Sequence, residues 1–219
     1  MDFNKYTYIC SNKKEIGYLL SENNANILKN EMLPLIVYLH GTDGCGDDPD
    51  SILHIQSLPS YSAENKLIYE DKILILAPQC PMGKHWRDIA DEVGELIKEV
   101  ARKNCVDVRR ISLTGASLGG MGTFELGIRF PEIFSCLVPV CGSVDPEACS
   151  VLKQQPVWIF HGELDTGMGF SVIEANEVIN KAGGQSRIEL LKGEGHEIRW
   201  IYYANKYDVI NWMIRQRKV

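Results

Sequence analysis

The sequence predicts an α/β protein built around a mostly parallel sheet. Short apolar runs alternate with amphipathic stretches, an order that is typical of strands joined by crossover helices. Of the 219 residues, 45% are hydrophobic, which is enough to form a full core. The chain also contains no repeat, low-complexity segment or linker. We therefore expect a single domain over residues 1–219.

Six apolar runs predict buried strands, and they lie at residues 35–39, 73–76, 111–114, 136–140, 157–160 and 188–191. Pro139 argues against the fourth strand, because proline has no N–H to donate to a sheet. Near the N-terminus Tyr6, Tyr8 and Cys10 alternate with polar residues. This alternation favours an antiparallel hairpin at the sheet edge, formed by the residues up to about Leu20.

Three amphipathic stretches predict helices. The apolar face of the first has the helical period of 3.6 residues, with Ile89, Val93, Leu96, Ile97 and Val100. The second begins with a capping-box pattern from Ser171 to Glu174 and ends at two glycines, residues 183–184. The last is expected over about residues 204–215.

The strongest motif lies at residues 115–119, which read Gly-Ala-Ser-Leu-Gly between a predicted strand and a helical stretch that begins near Gly120. A tight strand-to-helix turn needs small residues because its backbone segments pack closely. The turn would present the Ser117 hydroxyl at the carboxyl edge of the sheet, beside a helix N-terminus. The pattern therefore predicts that Ser117 is a nucleophile.

A serine hydroxyl is a weak nucleophile unless a base accepts its proton. A nucleophile in this kind of turn is followed along the chain by a carboxylate and then by a histidine. Asp165 lies in the loop after the fifth predicted strand and His196 in the loop after the sixth. We therefore predict a triad of Ser117, His196 and Asp165. Glu163, two residues before Asp165, is the alternative acid.

The tetrahedral oxyanion formed in acyl transfer needs two amide N–H donors. One donor is expected at Leu118, the residue after the nucleophile. The other is expected in the loop after the first core strand, and residues 39–44 read Leu-His-Gly-Thr-Asp-Gly at that place. We assign the second donor to the N–H of Thr42.

Together these segments resemble the lid-less carboxylesterases of the α/β-hydrolase superfamily. The branch is that of dienelactone-hydrolase-like enzymes and of the predicted peptidases related to feruloyl and polyhydroxyalkanoate-depolymerase-like esterases. The matching segments are residues 34–41, 46–48, 77–86, 111–126, 160–165 and 193–200. The resemblance implies an α/β-hydrolase fold, a three-layer sandwich without a lid domain. The chain departs from that branch at residues 43–45, Asp-Gly-Cys, where Gly-Glu-Arg is usual.

The remaining candidates are single side chains. Trp86 lies in a loop that leaves a strand end, which favours a place in the wall of the substrate pocket over one in the core. His40 and His161 flank glycines at strand ends and are predicted to be structural, hydrogen-bonded histidines. His85 and Cys80 would supply two metal ligands, too few for a site. Neither a metal nor another cofactor is predicted.

The formal net charge of −6 and the scattered Lys and Arg residues argue against a nucleic-acid partner. The first 20 residues do not resemble a signal peptide, and no stretch reaches the roughly 20 apolar residues of a membrane span. Seven cysteines, an odd number without CxxC spacing, suit reduced thiols. We expect a cytoplasmic protein without a membrane partner. In an exported form Cys45 and Cys80 would be candidates for a bridge.

The expected activity is hydrolysis of a small-molecule carboxylic ester through an acyl-enzyme. Because no insertion supplies a lid, we expect soluble esters with short acyl, aryl or sugar groups. A serine peptidase or a thioesterase with the same triad is the enzymatic alternative. A catalytically silent binding protein of the same fold is the non-enzymatic alternative, and the sequence indicates no oligomeric state.

Overall fold

The computed structural model describes residues 1–22, 32–67 and 72–218. The strands in these ranges are β1 Phe3–Ile9, β2 Glu15–Ser21, β3 Leu33–Leu39, β4 Leu74–Pro78, β5 Val106–Ala116, β6 Cys136–Val140, β7 Val157–Gly162 and β8 Ser186–Leu191. The helices are α1 Leu58–Ala63, α2 Ala90–Lys103, α3 Leu118–Arg129, α4 Ser171–Lys181 and α5 Val209–Arg215. Short 3₁₀ turns cover Thr42–Gly44, Pro49–His54, Trp86–Ile89, Pro146–Gln154 and Arg199–Tyr202.

The strands form one sheet in the order β1-β2-β4-β3-β5-β6-β7-β8. All neighbours from β4 to β8 pair in parallel, whereas β1 and β2 form an antiparallel hairpin that joins β4. The predicted parallel sheet and edge hairpin are therefore confirmed. Because parallel strands end at one edge of a sheet, the loops after β3, β5, β7 and β8 all leave the same edge.

The buried strands serve two cores, one on each face of the sheet. In β3, Leu35, Val37 and Leu39 join the core that contains α2, α3 and α4. Ile36 and Tyr38 join the core that contains α1 and α5, because successive side chains of a strand point to opposite faces. This gives the three predicted layers. Every described helix packs into one of these cores, so none of them forms a lid, and none is long and apolar enough to cross a membrane.

The doubt about the fourth predicted strand is resolved in favour of a strand. Pro139 lies inside β6, which pairs with β5 on one side and β7 on the other. The N–H groups two residues to either side donate towards β7, from Leu137 to Pro156 O at 3.0 Å and from Cys141 to Phe160 O at 2.9 Å. Pro139 therefore removes one bond from an otherwise continuous ladder, and burial of its neighbours keeps the strand in place.

Two predicted helix starts differ from the structure. The capping box at Ser171 is wrong, since Phe170 occupies the N-cap and the Ser171 hydroxyl accepts from Val144 N–H at 3.2 Å. The last helix begins at Val209, five residues later than expected at Ala204. Asp208, with φ 50°, has the left-handed backbone conformation that a right-handed helix cannot contain, so it marks the boundary.

Candidate active site

Ser117 lies at the tip of a tight turn between β5 and α3. Its backbone has φ 59° and ψ −118°, a conformation that is costly for a residue with a side chain. The turn is held by Ser117 N–H, which donates to Val140 O at 2.9 Å. A Cβ at Gly119 would lie 1.9 Å from Leu39 O, and one at Gly115 would lie 2.5 Å from the same oxygen. Glycine is therefore required at both positions, as the motif predicts.

The structure brings Ser117, His196 and Asp165 together, although each follows a different strand. His196 Nε2 lies 2.8 Å from Ser117 Oγ, and His196 Nδ1 lies 2.7 Å from Asp165 Oδ2. In the tautomer that fits both contacts, Nδ1–H donates to the carboxylate and Nε2 accepts from the hydroxyl. The imidazole is thus oriented to take the serine proton.

The geometry separates the two candidate acids. Asp165 is 5% exposed and is the carboxylate in contact with His196. Burial by itself raises the pKa of Asp165, but the hydrogen bond and charge of His196, with contacts to Cys141 and His161, outweigh it and keep the pKa below its usual value. Glu163 is exposed and accepts from Gly193 N–H at 3.0 Å instead. The arrangement favours Asp165.

The two predicted oxyanion donors lie on segments that approach Ser117. Leu118 is the first residue of α3 and follows Ser117 directly. The loop that carries Thr42 passes close by, since a Cβ at Gly41 would lie 3.5 Å from Ser117 Cβ. In the described part of the chain, the N–H groups of Thr42 and Leu118 donate to no protein acceptor. Both are therefore available to a ligand oxygen.

Comparison with known proteins gives two kinds of likeness, while no protein-family model matches the chain. The chain is 22% identical over 146 residues to a bifunctional acetylxylan esterase/xylanase of Neocallimastix patriciarum, covering 64% of this chain and 20% of that protein. A thermostable esterase superposes with a TM-score of 0.83 at 25% identity, covering 99% of this chain and 64% of that one. The feruloyl esterase module from Clostridium thermocellum, complexed with sinapinate, superposes with a TM-score of 0.71 at 14% identity, covering 100% and 89%. The chain thus spans a fifth of the curated relative and less than two thirds of the thermostable esterase.

These superpositions cover almost the whole chain. The chain has the α/β-hydrolase fold. The predicted fold class is therefore confirmed, and so is the resemblance to esterases of this fold. In an α/β-hydrolase the carboxyl edge of the sheet is the usual place for a site, and Ser117, Asp165 and His196 all lie there.

The prediction that Trp86 walls the substrate pocket is wrong. The Trp86 side chain is fully buried, and its Nε1–H donates to His40 O at 3.2 Å. The ring packs against α3, where a Cβ at Gly122 would lie 2.5 Å from it. The 3₁₀ turn that starts at Trp86 directs the indole inward. Through its hydrogen bond to His40 O, Trp86 helps to hold the loop of Thr42 in place.

His40 fixes the loop of Thr42, as expected for a structural, hydrogen-bonded histidine. Its Nε2 accepts from Cys80 N–H at 3.0 Å, and its Nδ1 lies 2.7 Å from Gly41 O. Burial lowers the pKa of His40 to about 4, so the ring is neutral at pH 7. A Cβ at Gly44 would lie 2.6 Å from the ring, which explains the glycine there.

Arg199 is a residue that the motif analysis missed. It is 6% exposed, and its guanidinium donates to Asp43 Oδ2 at 2.6 Å and to Gln56 O at 2.8 Å. The ion pair joins the segment after His196 to the loop of Thr42. The available signal was an arginine between Ile198 and Trp200, because a charge in an apolar run requires a partner.

His161 differs from the sequence prediction. It is fully buried, as expected for a structural residue, but neither ring nitrogen makes a hydrogen bond of good geometry, and only weak contacts to the backbones of Asp165 and Gly169 remain. Its ring lies against Phe170, with centroids 5.5 Å apart, and Nε2 is 3.9 Å from Asp165 Oδ2. The Cys141 thiol contacts the same Asp165 carboxylate and is also buried. All seven cysteines are free thiols, including Cys45 and Cys80.

Proposed function

We propose that the chain is a carboxylic ester hydrolase that forms an acyl-enzyme on Ser117. The observation that carries the proposal is the continuous contact from Ser117 Oγ through His196 to Asp165, at 2.8 and 2.7 Å. His196 accepts the hydroxyl proton as Oγ attacks the ester carbonyl carbon. Asp165, which remains ionised, stabilises the imidazolium that forms.

The carbonyl oxygen becomes an oxyanion held by the N–H groups of Thr42 and Leu118. Each such donor contributes about 2.7–4 kcal/mol of transition-state stabilisation in comparable sites. The ester C–O bond then breaks, and His196 gives its proton to the departing alcohol. Water repeats the sequence on the acyl-enzyme and releases the carboxylic acid. The chemistry requires no cofactor.

We further propose soluble esters with a short acyl group, an aryl group or a sugar as the substrate class. This class is supported by two of the similar proteins, one described as an acetylxylan esterase/xylanase and the other as a feruloyl esterase module. A groove of about 470 Å³ is lined by Met121, which lies one helical turn after Ser117, but by no residue of the triad. Glu125, Ser143 and Asp145 line it, and their polar groups suit the hydroxyls of a sugar or phenol.

The test is labelling with a fluorophosphonate together with hydrolysis of an aryl acetate. We expect the wild-type protein to be labelled once and Ser117→Ala not at all, with turnover reduced by several orders of magnitude. Ser11→Ala is the matched control, because Ser11 is exposed on the N-terminal hairpin and contacts Glu95 rather than a histidine. Unlabelled wild-type protein would instead support a binding protein, and faster cleavage of a thioester or peptide would support the enzymatic alternatives.

A further inference from the structure

Three side chains with metal-binding atoms surround one point behind His196. Cys141 directly follows β6, His161 lies in β7, and Asp165 lies in the loop after β7. Their ligand atoms all lie within 4.8 Å of one another, and all three residues are buried. Among the residues that the structure describes, this is the one such group of three Cys, His, Asp or Glu side chains.

His161 is the observation that points to a ligand. It is fully buried, and neither ring nitrogen makes a hydrogen bond of good geometry, although weak contacts to the backbones of Asp165 and Gly169 remain. An unsatisfied polar group in the interior is costly, so such a group needs an explanation. A neutral imidazole keeps a lone pair that is free for coordination.

The donor set is also chemically consistent. A cysteine sulfur, an imidazole nitrogen and a carboxylate oxygen together suit Zn²⁺, which takes three protein ligands and one exchangeable ligand in open sites. Tetrahedral coordination places such atoms about 3.3–3.6 Å apart. The present separations, up to 4.8 Å, therefore have to shorten by up to about 1.2–1.5 Å on binding.

We propose that Cys141, His161 and Asp165 form a Zn²⁺ site whose occupation inhibits the enzyme. Burial raises the pKa of the Cys141 thiol to about 12, so the ion has to displace the thiol proton, which leaves on a water molecule as the thiolate sulfur bonds to the metal. Asp165 donates a lone pair to the same ion, so its carboxylate no longer holds His196 Nδ1 and no longer balances the imidazolium. The inhibition rests on the proposed function, whereas the binding does not.

We expect access from the side of His196. The His196 side chain is 33% exposed, whereas the Asp165 side chain behind it is 4% exposed. Rotation of the imidazole away from Asp165 opens the carboxylate to solvent and at the same time breaks the contact with Ser117. Metal entry and loss of the triad are thus one event.

The test uses EDTA-treated protein titrated with Co²⁺, followed by competition with Zn²⁺. A thiolate-to-cobalt charge-transfer band that saturates at one equivalent is expected in the wild-type protein and absent in Cys141→Ala. The Zn²⁺ concentration for half-inhibition of aryl acetate hydrolysis should rise at least about tenfold in this variant. Cys149→Ala is the matched control, since Cys149 is equally buried but its thiol contacts Asp145 O.

If Cys141→Ala does not fold, His161→Gln removes a second ligand and gives the same test. A band of equal strength in either variant, or no band in the wild-type protein, would overturn the site. Cobalt binding without any loss of hydrolysis would overturn the inhibition. A metal-free wild-type protein that hydrolyses no ester contradicts the proposed function, and the metal site is then judged by the absorption band alone.

Discussion

Replacing Asp43 by alanine is expected to lower ester turnover more than ester binding. The Asp43 carboxylate accepts the 2.6 Å hydrogen bond from buried Arg199. Thr42, the adjacent residue, carries the N–H that we propose as an oxyanion donor. Without Asp43 the loop loses its link to the segment after His196, and the Thr42 amide is held less firmly beside Ser117 by the remaining contacts of His40 and Trp86.

The size of the effect follows from the exposure of the two partners. A hydrogen bond to a charged group contributes about 1.5–3 kcal/mol to stability. The Asp43 side chain is 38% exposed, so water screens the pair and the lower end of that range applies. We expect the free energy of unfolding to fall by about 1.5 kcal/mol. Loss of one oxyanion donor would lower kcat by about 10²-fold, with little change in KM.

Urea unfolding and steady-state hydrolysis of an aryl acetate measure the two effects separately. Asp91→Ala is the control, because Asp91 binds Arg129 on the surface, where the side chains are 63% and 52% exposed. We expect that change to alter stability by less than about 1 kcal/mol and to leave kcat unchanged. Asp43→Asn retains an acceptor for Arg199 and should recover part of the turnover. Wild-type kcat in a destabilised Asp43→Ala protein would refute the link to Thr42.

Three further predictions concern the triad, the pH dependence of stability and the substrate. Asp165→Asn should lower kcat by about 10⁴-fold, because Asp165 contacts His196. Glu163→Gln should change kcat little, because the Glu163 carboxylate accepts from Gly193 N–H instead. Kinetics that rank the two variants in the opposite order would transfer the role to Glu163. Because burial lowers the pKa of His40 from 6.5 to about 4, the unfolded chain binds this proton first as the pH falls. The buried neutral ring therefore contributes fully to the free energy of unfolding above pH 6.5, and this contribution, ~3 kcal/mol, is lost by about pH 4. Urea unfolding measured across that pH range should show a smaller loss in His40→Gln. Since no described helix forms a lid, kcat/KM should be at least about tenfold higher for an acetyl ester than for a long-chain ester or a peptide amide, and a preference for either of those would contradict the open site.

The sheet and the triad contacts could be predicted because their signals are local. A strand buried on both faces reads as an unbroken apolar run, and β3 is one. The turn at Ser117 requires glycine at residues 115 and 119, because the backbone segments around such a turn pack too closely for a side chain. This requirement is the same in every sequence that forms the turn. Parallel strands then bring the loops of Asp165 and His196 to the same edge, whatever lies between them.

The predictions that were wrong or missing concern side chains whose positions depend on tertiary contacts. Trp86 follows a strand end, but the inward direction of its 3₁₀ turn depends on space beside Gly122, which no local pattern records. The Ser171 hydroxyl bonds to Val144, a residue 27 positions earlier, instead of capping its own helix. Arg199 and Asp43 are 156 positions apart, so neither residue by itself indicates the pair.

The strand that leads to His196, β8, is also the last strand in the order of the described sheet, so one of its edges pairs with no described strand. β8 carries Arg187 and Glu189 near the middle of this edge, and Arg187 lies over the Trp158 ring at 3.4 Å from its centroid. Charged side chains on an edge strand oppose pairing with a strand from another molecule. A strand added there would lie beside the loop of His196. Self-association through this edge would therefore bring another molecule next to the proposed site. Replacing Arg187 and Glu189 with apolar residues would lower activity through this association while the core stays unchanged.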